Sequence, residues 1–181
     1  MKALAPGFLI AMPQLQDPNF EQSVVLMIEH GASGAMGLVI NHASQLTFEE
    51  LAKSQELAIA KGREDEHIFV GGPVEPFRGF VLHDAPEASE KIEVLPGLYL
   101  TVTSDALEPL LCDPKVRLRF CLGCSGWGPG QLENELKQGS WLFTEASLDS
   151  VLSAEPERVW DSVIKGMGID PGWLVTSGGM N

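Results

Sequence analysis

Long apolar runs, cysteines and positive charge are all scarce in this sequence, and each shortage excludes a class of protein. No segment approaches the roughly 20 apolar residues of a membrane-spanning helix. The apolar run after Gly7 ends at Met12, short of the roughly 7–15 residues of a secretory signal core. Three cysteines in 181 residues do not suggest a disulfide framework. We therefore expect a cytoplasmic protein with no membrane segment.

Basic residues are outnumbered two to one. The 12 lysines and arginines face 25 aspartates and glutamates, which gives a formal net charge of −13. Such a field repels phosphate backbones and anionic lipid. Direct nucleic-acid binding is therefore disfavoured, and we expect the partner to be a small molecule or another protein. The length is that of one ordinary domain, which we place over residues 1–181.

Motifs for nucleotide binding and hydrolysis are also missing. The chain has no P-loop, and Gly31, Gly34 and Gly37 are spaced evenly by three, unlike the dinucleotide-binding fingerprint. The sequence around Ser125 misses the nucleophile elbow because Trp127 stands where a glycine is needed. We expect no cofactor.

The chain instead contains strand and helix patterns in an irregular order. Continuous apolar runs at residues 24–28 and 38–40 predict strands that are covered on both faces. Thr47 and Glu50 form a capping box, which predicts the start of a helix. The glycine-rich stretches at residues 29–37 and 124–131 predict loops, and the second loop leads into a helix that ends at Gly139. This mixture predicts an α/β or α+β domain, since strict strand–helix alternation is absent.

Cys121 and Cys124 form a C-x-x-C spacing, the form in which paired thiols exchange disulfides. Arg117 and Arg119 share a predicted strand face with Cys121, so their charge would favour its thiolate. The alternative is that both cysteines are small buried residues. Only Cys112 and scattered histidines could complete a zinc site, so we expect no metal.

Two histidines lie where a predicted strand meets a loop. His30 follows Glu29, and His83 precedes Asp84, which makes both candidates for acid–base chemistry or for a hydrogen-bonded structural role. Trp127 lies between two glycines and is either an exposed stacking surface or a plug that anchors its loop.

Five segments in order along the chain carry a resemblance to a known family. They are GFLIAMPQLQDPNFEQSVVLMIEH, GAMGLVIN, FVGGPV, VLH and GWGPGQLENEL, and together they resemble the AlgH/YqgE family of small bacterial proteins. The resemblance implies an α/β (α+β) domain with a mixed, mainly antiparallel, bifurcated sheet that curls into a partial barrel flanked by helices. The family name reflects a proposed regulatory link to alginate production, which does not imply DNA binding. Cys124-Ser125 and His42 depart from the family pattern, so C-x-x-C is a local variant.

The loop motifs predict a polar binding surface for a non-enzymatic binding or regulatory protein. Its candidate residues are His30, Asn41, Gly71, Gly72, His83, Gly126, Trp127, Gln131 and Glu133. The alternative is an enzyme that uses Cys121 and Cys124 for thiol redox chemistry or His30 and His83 for acid–base chemistry. The sequence leaves the oligomeric state open.

Overall fold

The computed structural model describes residues 3–15, 17–102 and 104–177, which form ten strands and six α-helices. The strands are β1 (Gly7–Ala11), β2 (Val24–Gly31), β3 (Gly34–Val39), β4 (Ala43–Thr47), β5 (His67–Val70), β6 (Val74–His83), β7 (Ile92–Leu95), β8 (Leu98–Thr101), β9 (Leu118–Trp127) and β10 (Trp141–Thr144). The helices are α1 (Phe48–Gln55), α2 (Leu107–Cys112), α3 (Gln131–Lys137), α4 (Leu148–Leu152), α5 (Pro156–Gly166) and α6 (Pro171–Ser177), with a 3₁₀ turn at Ser104–Ala106.

The strands form one large sheet that divides at β9. Along its main path the order is β10-β1-β2-β3-β9-β6-β8-β7. One edge of β9 pairs with β6, while the other edge pairs first with β5 at Cys121 and Leu122 and then with β3 from Ser125 to Trp127. Among these pairings only β5–β9 is parallel. The predicted mixed, mainly antiparallel sheet flanked by helices is confirmed, and it stays open rather than closing into a barrel.

Apolar cores cover both faces of the first three strands. Alternate residues of β1 point to opposite sides, so that Phe8 and Ile10 join one cluster and Leu9 and Ala11 join another. Helices α4 and α5 cover the first cluster, whereas α3 covers the second. A third cluster lies beneath α1 and α2. The prediction of doubly covered strands is confirmed, since an uninterrupted apolar run buries both of its alternating sides.

Local signals at the helix ends agree with the structure. The Thr47 side chain accepts a hydrogen bond from the Glu50 backbone N–H, and the Glu50 carboxylate accepts one from the Thr47 backbone. Helix α3 ends in a Schellman motif, because the N–H groups of Gly139 and Ser140 donate to Leu136 and Glu135. Both helix boundaries were predicted from these residues.

Two predicted loops are largely strand. The stretch at residues 29–37 forms a tight hairpin in which Gly31 pairs with Gly34, and strand β9 continues through Ser125 to Trp127. Pairing with β3 supplies the hydrogen bonds of that extension, so small residues with little strand preference become a strand. Helix α6 was not predicted.

Within the described residues, no helix is both long enough and apolar enough to cross a membrane.

Candidate functional site

Three structural elements meet at the Trp127 end of β9. The β2–β3 hairpin pairs with β9 through Ala35 and Trp127, and helix α3 begins four residues after Trp127. His30, near the end of β2, reaches across to the first turn of α3, where its Nε2 lies 2.6 Å from Glu133 Oε1. The structure therefore brings together His30, Trp127, Gln131 and Glu133 from the predicted surface.

The hydrogen bonds of His30 identify its tautomer. The Leu4 backbone N–H donates to Nδ1 at 3.1 Å, so Nδ1 accepts and Nε2 carries the proton that is donated to Glu133. This hydrogen bond is the largest of the effects that lower the pKa of Glu133, which keeps Glu133 an anionic acceptor. His30 thus ties β2, the segment before β1 and α3 together, and neither ring nitrogen is left free.

Trp127 is a plug rather than an exposed stacking surface. Its side chain is 7% exposed, and its ring packs against Phe20 at 6.4 Å and Trp141 at 5.9 Å between centroids. Glu135 lies against this aromatic group. Burial raises the pKa of Glu135, and the indoles of Trp127 and Trp141 oppose that shift without cancelling it. No spacing in the sequence indicates the aromatic neighbours of Glu135.

A cleft of about 360 Å³ opens beside this cluster. It is lined by Glu29, His30, Gly31, Ser33, Gly34, Ala35, Met36 and Trp127. A Cβ placed on Gly34 would collide with the Trp127 carbonyl oxygen, and the φ of Gly34 is +131°, so glycine is required where the hairpin approaches β9. Glu29 and Ser33 are exposed at the cleft. These polar groups can bind a ligand that donates hydrogen bonds or carries positive charge.

Gln131 and Gly126 belong to the segment that closes this end of the molecule. Gln131 Oε1 accepts a hydrogen bond of 2.9 Å from the Gly128 backbone N–H, which fixes the turn before α3. Gly126 pairs with Met36 of the hairpin and is exposed. Neither residue is among those that line the cleft, and the side-chain carbonyl of Gln131 is used within the fold.

Asn41, Gly71 and Gly72 lie away from His30. The Asn41 side chain accepts from the Val24 N–H and donates to the Gln22 carbonyl, both at 2.9 Å. Because Val24 begins β2 and His30 lies six residues further on, Asn41 is roughly 20 Å from the cleft along the strand. The Gly71 carbonyl accepts from the Val39 N–H and the Ser125 hydroxyl, and Gly72 packs against Cys124. Asn41, Gly71 and Gly72 therefore connect neighbouring strands of the sheet.

His83 lies at the opposite end of β9. It pairs with Leu118, nine residues from Trp127, which corresponds to about 30 Å of strand. His83 is fully buried, its Nε2 lies 2.8 Å from Thr101 Oγ1, and its Nδ1 accepts from the Ala85 N–H. Burial lowers its pKa to about 4. The structure therefore does not bring His83 to the cleft.

The arginine charge that is expected to favour the Cys121 thiolate does so through Arg119, but burial outweighs it. Burial raises the pKa of Cys121 to about 12, and the opposing effect of Arg119 is smaller. Arg117 instead pairs with Asp84 at 2.9 Å. Burial also raises the pKa of Cys124, and all three cysteines are free thiols. Both thiols of the C-x-x-C spacing belong to an apolar cluster, where the thiolate is disfavoured.

Among the residues that the structure describes, no three His, Cys, Asp or Glu side chains are grouped as ligands for a metal ion.

A family model described as AlgH-like matches residues 8–172. A UPF0301 protein of Myxococcus xanthus is 62% identical over 181 residues, which cover all of both chains. A second UPF0301 protein, from Ruegeria pomeroyi, is 39% identical over 180 residues, 97% of this chain and 98% of its own.

Two solved structures share the architecture. The solution structure of the AlgH protein from Pseudomonas aeruginosa matches with a TM-score of 0.76 and 34% identity, covering 96% of this chain and 94% of that one. A protein from Corynebacterium diphtheriae matches with a TM-score of 0.71 over 92% of this chain and 88% of that one. Its identity of 20% supports a shared fold only.

Proposed function

Since the chain belongs to the AlgH-like family, we propose that it is a non-enzymatic binding or regulatory protein whose ligand surface is the cleft beside His30 and Trp127. Of the predicted surface, the ligand site keeps the part on the β2–β3 hairpin and at the start of α3. The ligand of this site is a small molecule or a segment of a partner protein that supplies hydrogen-bond donors or positive charge.

One observation carries the non-enzymatic assignment: the reactive atoms of the candidate catalytic residues are occupied within the fold. His30 uses both ring nitrogens for Leu4 and Glu133, and His83 uses both for Thr101 and Ala85. The Cys121 thiol is buried with a pKa raised to about 12. Acid–base or thiol chemistry needs an accessible group of matched pKa, so these side chains are better suited to holding the fold together.

The preference for a donor-rich or cationic ligand follows from charge. Glu29 projects a carboxylate at the cleft, and Glu133 is held anionic beside it by His30. The chain as a whole carries −13, which raises the local concentration of cations and repels phosphate-bearing ligands. Three free thiols are typical of a reducing compartment, which supports a cytoplasmic location.

The test is a ligand screen followed by NMR on the ¹⁵N-labelled protein. Amine-bearing and anionic metabolites of similar size are titrated separately. We expect an amine-bearing compound to shift the amides of residues 31–36 and the Trp127 indole resonance. The Trp160 indole should stay unshifted, because Trp160 belongs to the cluster on the other face of the sheet, where its N–H donates to the Ala11 carbonyl.

A matched pair of variants locates the site. Glu29→Gln should weaken binding of that compound at least tenfold, since it removes the exposed carboxylate of the cleft. Glu157→Gln, at an exposed glutamate on α5, should leave binding unchanged. Anionic compounds binding equally well, shifts located elsewhere, or no ligand up to millimolar concentration would each contradict the proposal.

A further inference from the structure

Strand β9 carries two arginines on one face, two residues apart, and only one of them has an acidic partner. Arg117 is exposed and pairs with Asp84 at 2.9 Å and with Asp149 at 3.4 Å. Arg119 is half-buried, and no carboxylate of the described residues forms an ion pair with it. Within the same residues its guanidinium makes one hydrogen bond, from Nη2 to the Ala154 carbonyl at 2.9 Å.

A half-buried guanidinium without an acidic partner is electrostatically unfavourable. The group loses hydration, and proteins offset that loss with an opposite charge or with hydrogen bonds. Burial lowers the pKa of Arg119, and the charge of Glu66 opposes this shift without cancelling it. A guanidinium has five N–H donors, and the Ala154 carbonyl accepts from one nitrogen only. Arg119 therefore retains donors for an acceptor from outside the fold.

Arg119 lines a pocket where β4, β5 and β9 meet the start of α5. The pocket encloses about 420 Å³, which is in the range of small-molecule sites. Its apolar lining includes Phe48, Phe69 and Leu118, and the Arg119 guanidinium lies over the Phe69 ring at 5.0 Å from the centroid. A guanidinium held over a ring keeps its planar set of donors oriented. The pocket thus combines an apolar lining with a positioned cation.

The same pocket contains one acid without a partner. Glu157 is exposed in the first turn of α5 and forms no ion pair within the described part of the chain. Glu66, which also lines the pocket, pairs with Arg63 at 3.1 Å. His67 adds an acceptor, because its Nδ1 lies 2.8 Å from the Ser44 carbonyl and Nε2 of the neutral ring is then unprotonated. The pocket therefore offers one unpaired charge of each sign.

We propose that this pocket binds an α-amino acid with an apolar side chain. The carboxylate of the amino acid pairs with Arg119, a combination that is strong and often bidentate, and its ammonium group pairs with Glu157. The apolar side chain lies against Phe48 and Phe69. A ligand without net charge also suits a chain of −13, whereas a phosphate or a dicarboxylate would be repelled by that charge and by Glu157. The pocket shares no lining residue with the cleft of the proposed function.

NMR titration of the full ¹⁵N-labelled chain with L-phenylalanine tests the inference. Two analogues each lack one charge: 3-phenylpropionate has no ammonium group, and 2-phenylethylamine has no carboxylate. We expect L-phenylalanine to bind about threefold more tightly than either analogue, or better, because each analogue loses one ion pair. The shifted amides should be those of residues 43–45 and 67–69, which line this pocket.

A matched pair of arginine variants locates the carboxylate. Arg119→Gln should weaken binding of L-phenylalanine at least tenfold, since it removes the charge and the paired donors. Arg117→Gln removes the same charge two residues away on the same strand face and should leave binding unchanged. Urea unfolding of both variants shows whether they are folded. Arg119→Lys keeps the charge without the planar donor geometry, so its affinity should lie between those of the wild type and Arg119→Gln.

A second pair locates the ammonium group on α5. Glu157→Gln changes an exposed side chain, which leaves folding intact, and should weaken binding about two- to fivefold. Asp161→Asn, one turn further along α5 and also exposed, should have no effect.

Three results would overturn the inference. They are 3-phenylpropionate binding as tightly as L-phenylalanine, Arg119→Gln binding like the wild type, and no saturable binding of L-phenylalanine up to tens of millimolar. None of them bears on the cleft beside His30, because ligand binding there is read at the amides of residues 31–36.

Discussion

The two ends of β9 place a histidine in the same local pattern and give it different surroundings. His30 and His83 each neighbour an acidic residue in sequence, and each accepts a backbone N–H at Nδ1. At Nε2 they differ, because His30 faces the Glu133 carboxylate. His83 faces the Thr101 hydroxyl, which itself donates to the Glu90 carbonyl.

The difference lies in the partner that the fold supplies. The hydroxyl of Thr101 carries no charge to offset burial, so the pKa of His83 falls to about 4. At the other end of β9, the His30 ring holds the Glu133 carboxylate beside an open cleft. Residue type and neighbours in sequence therefore do not distinguish a buried structural histidine from one at a candidate site, whereas the group facing Nε2 does.

The largest effect should come from removing the plug at the Trp127 end. Trp127→Ala should lower the free energy of unfolding by about 3–5 kcal/mol, because it opens a cavity next to Phe20 and Trp141. Phe77→Ala removes a solvent-exposed aromatic ring and should change the free energy of unfolding by less than about 0.5 kcal/mol. Urea unfolding at pH 7.5 measures both. Equal losses would mean that Trp127 is not packed in the core.

At the Leu118 end, stability should depend on pH through His83. Its pKa in the folded protein is about 4, below the 6.5 of an exposed histidine, so the unfolded chain takes up the proton first as pH falls. The stabilisation is complete above pH 6.5 and is lost on acidification, by about 2 kcal/mol at pH 5 and about 3 kcal/mol at pH 4.

The variant His83→Gln isolates this contribution. Its urea unfolding free energy should change much less between pH 7.5 and 5 than that of the wild type, whatever its absolute stability. His42→Gln is the comparison, because burial lowers the pKa of His42 as well and its removal should leave the His83 share in place. A wild-type stability that does not fall between pH 7.5 and 5 would contradict the buried, neutral state of His83.

At the Trp127 end, His30→Ala should cost about 1–2 kcal/mol. The change breaks the hydrogen bonds to Leu4 and Glu133, and a typical hydrogen bond contributes about 1 kcal/mol, with more expected where one partner is charged. Lys53→Ala, which removes the exposed pair with Glu49 at 3.2 Å, should cost less than about 0.5 kcal/mol. Equal effects of the two variants would show that His30 does not tie α3 to the hairpin.

The smallest effect concerns the cysteines in the middle of β9. With a thiol reagent at pH 8, the native protein should show one fast-reacting thiol, Cys112, which is exposed. Cys121 and Cys124 are buried and should react only after unfolding in urea. Loss of two thiols under mild oxidation of the native protein would instead support the redox alternative.

Local sequence signals were sufficient to predict the structure wherever a residue and its neighbours in the chain decide it. The apolar runs of β2 and β3, the Thr47–Glu50 capping box and the end of α3 at Gly139 are of this kind. The strand state of Ser125 and Gly126 is different, since its hydrogen bonds come from β3. At the candidate site, His30, Trp127 and Glu133 were named in advance. Glu135 was not named, because no pattern in the sequence shows that Glu135 lies against aromatic side chains.

The sequence by itself determined the family, the mixed fold class, the doubly covered strands and the excess of negative charge. These properties depend on composition, on alternation and on motifs that are contiguous in the chain. Only the tertiary structure decided which glycine-rich segments meet. It separated His83 from His30 by the length of β9, and it buried the thiols despite a neighbouring arginine. The reason is physical: burial and the partner of a polar atom depend on residues far away in sequence, brought there by sheet pairing.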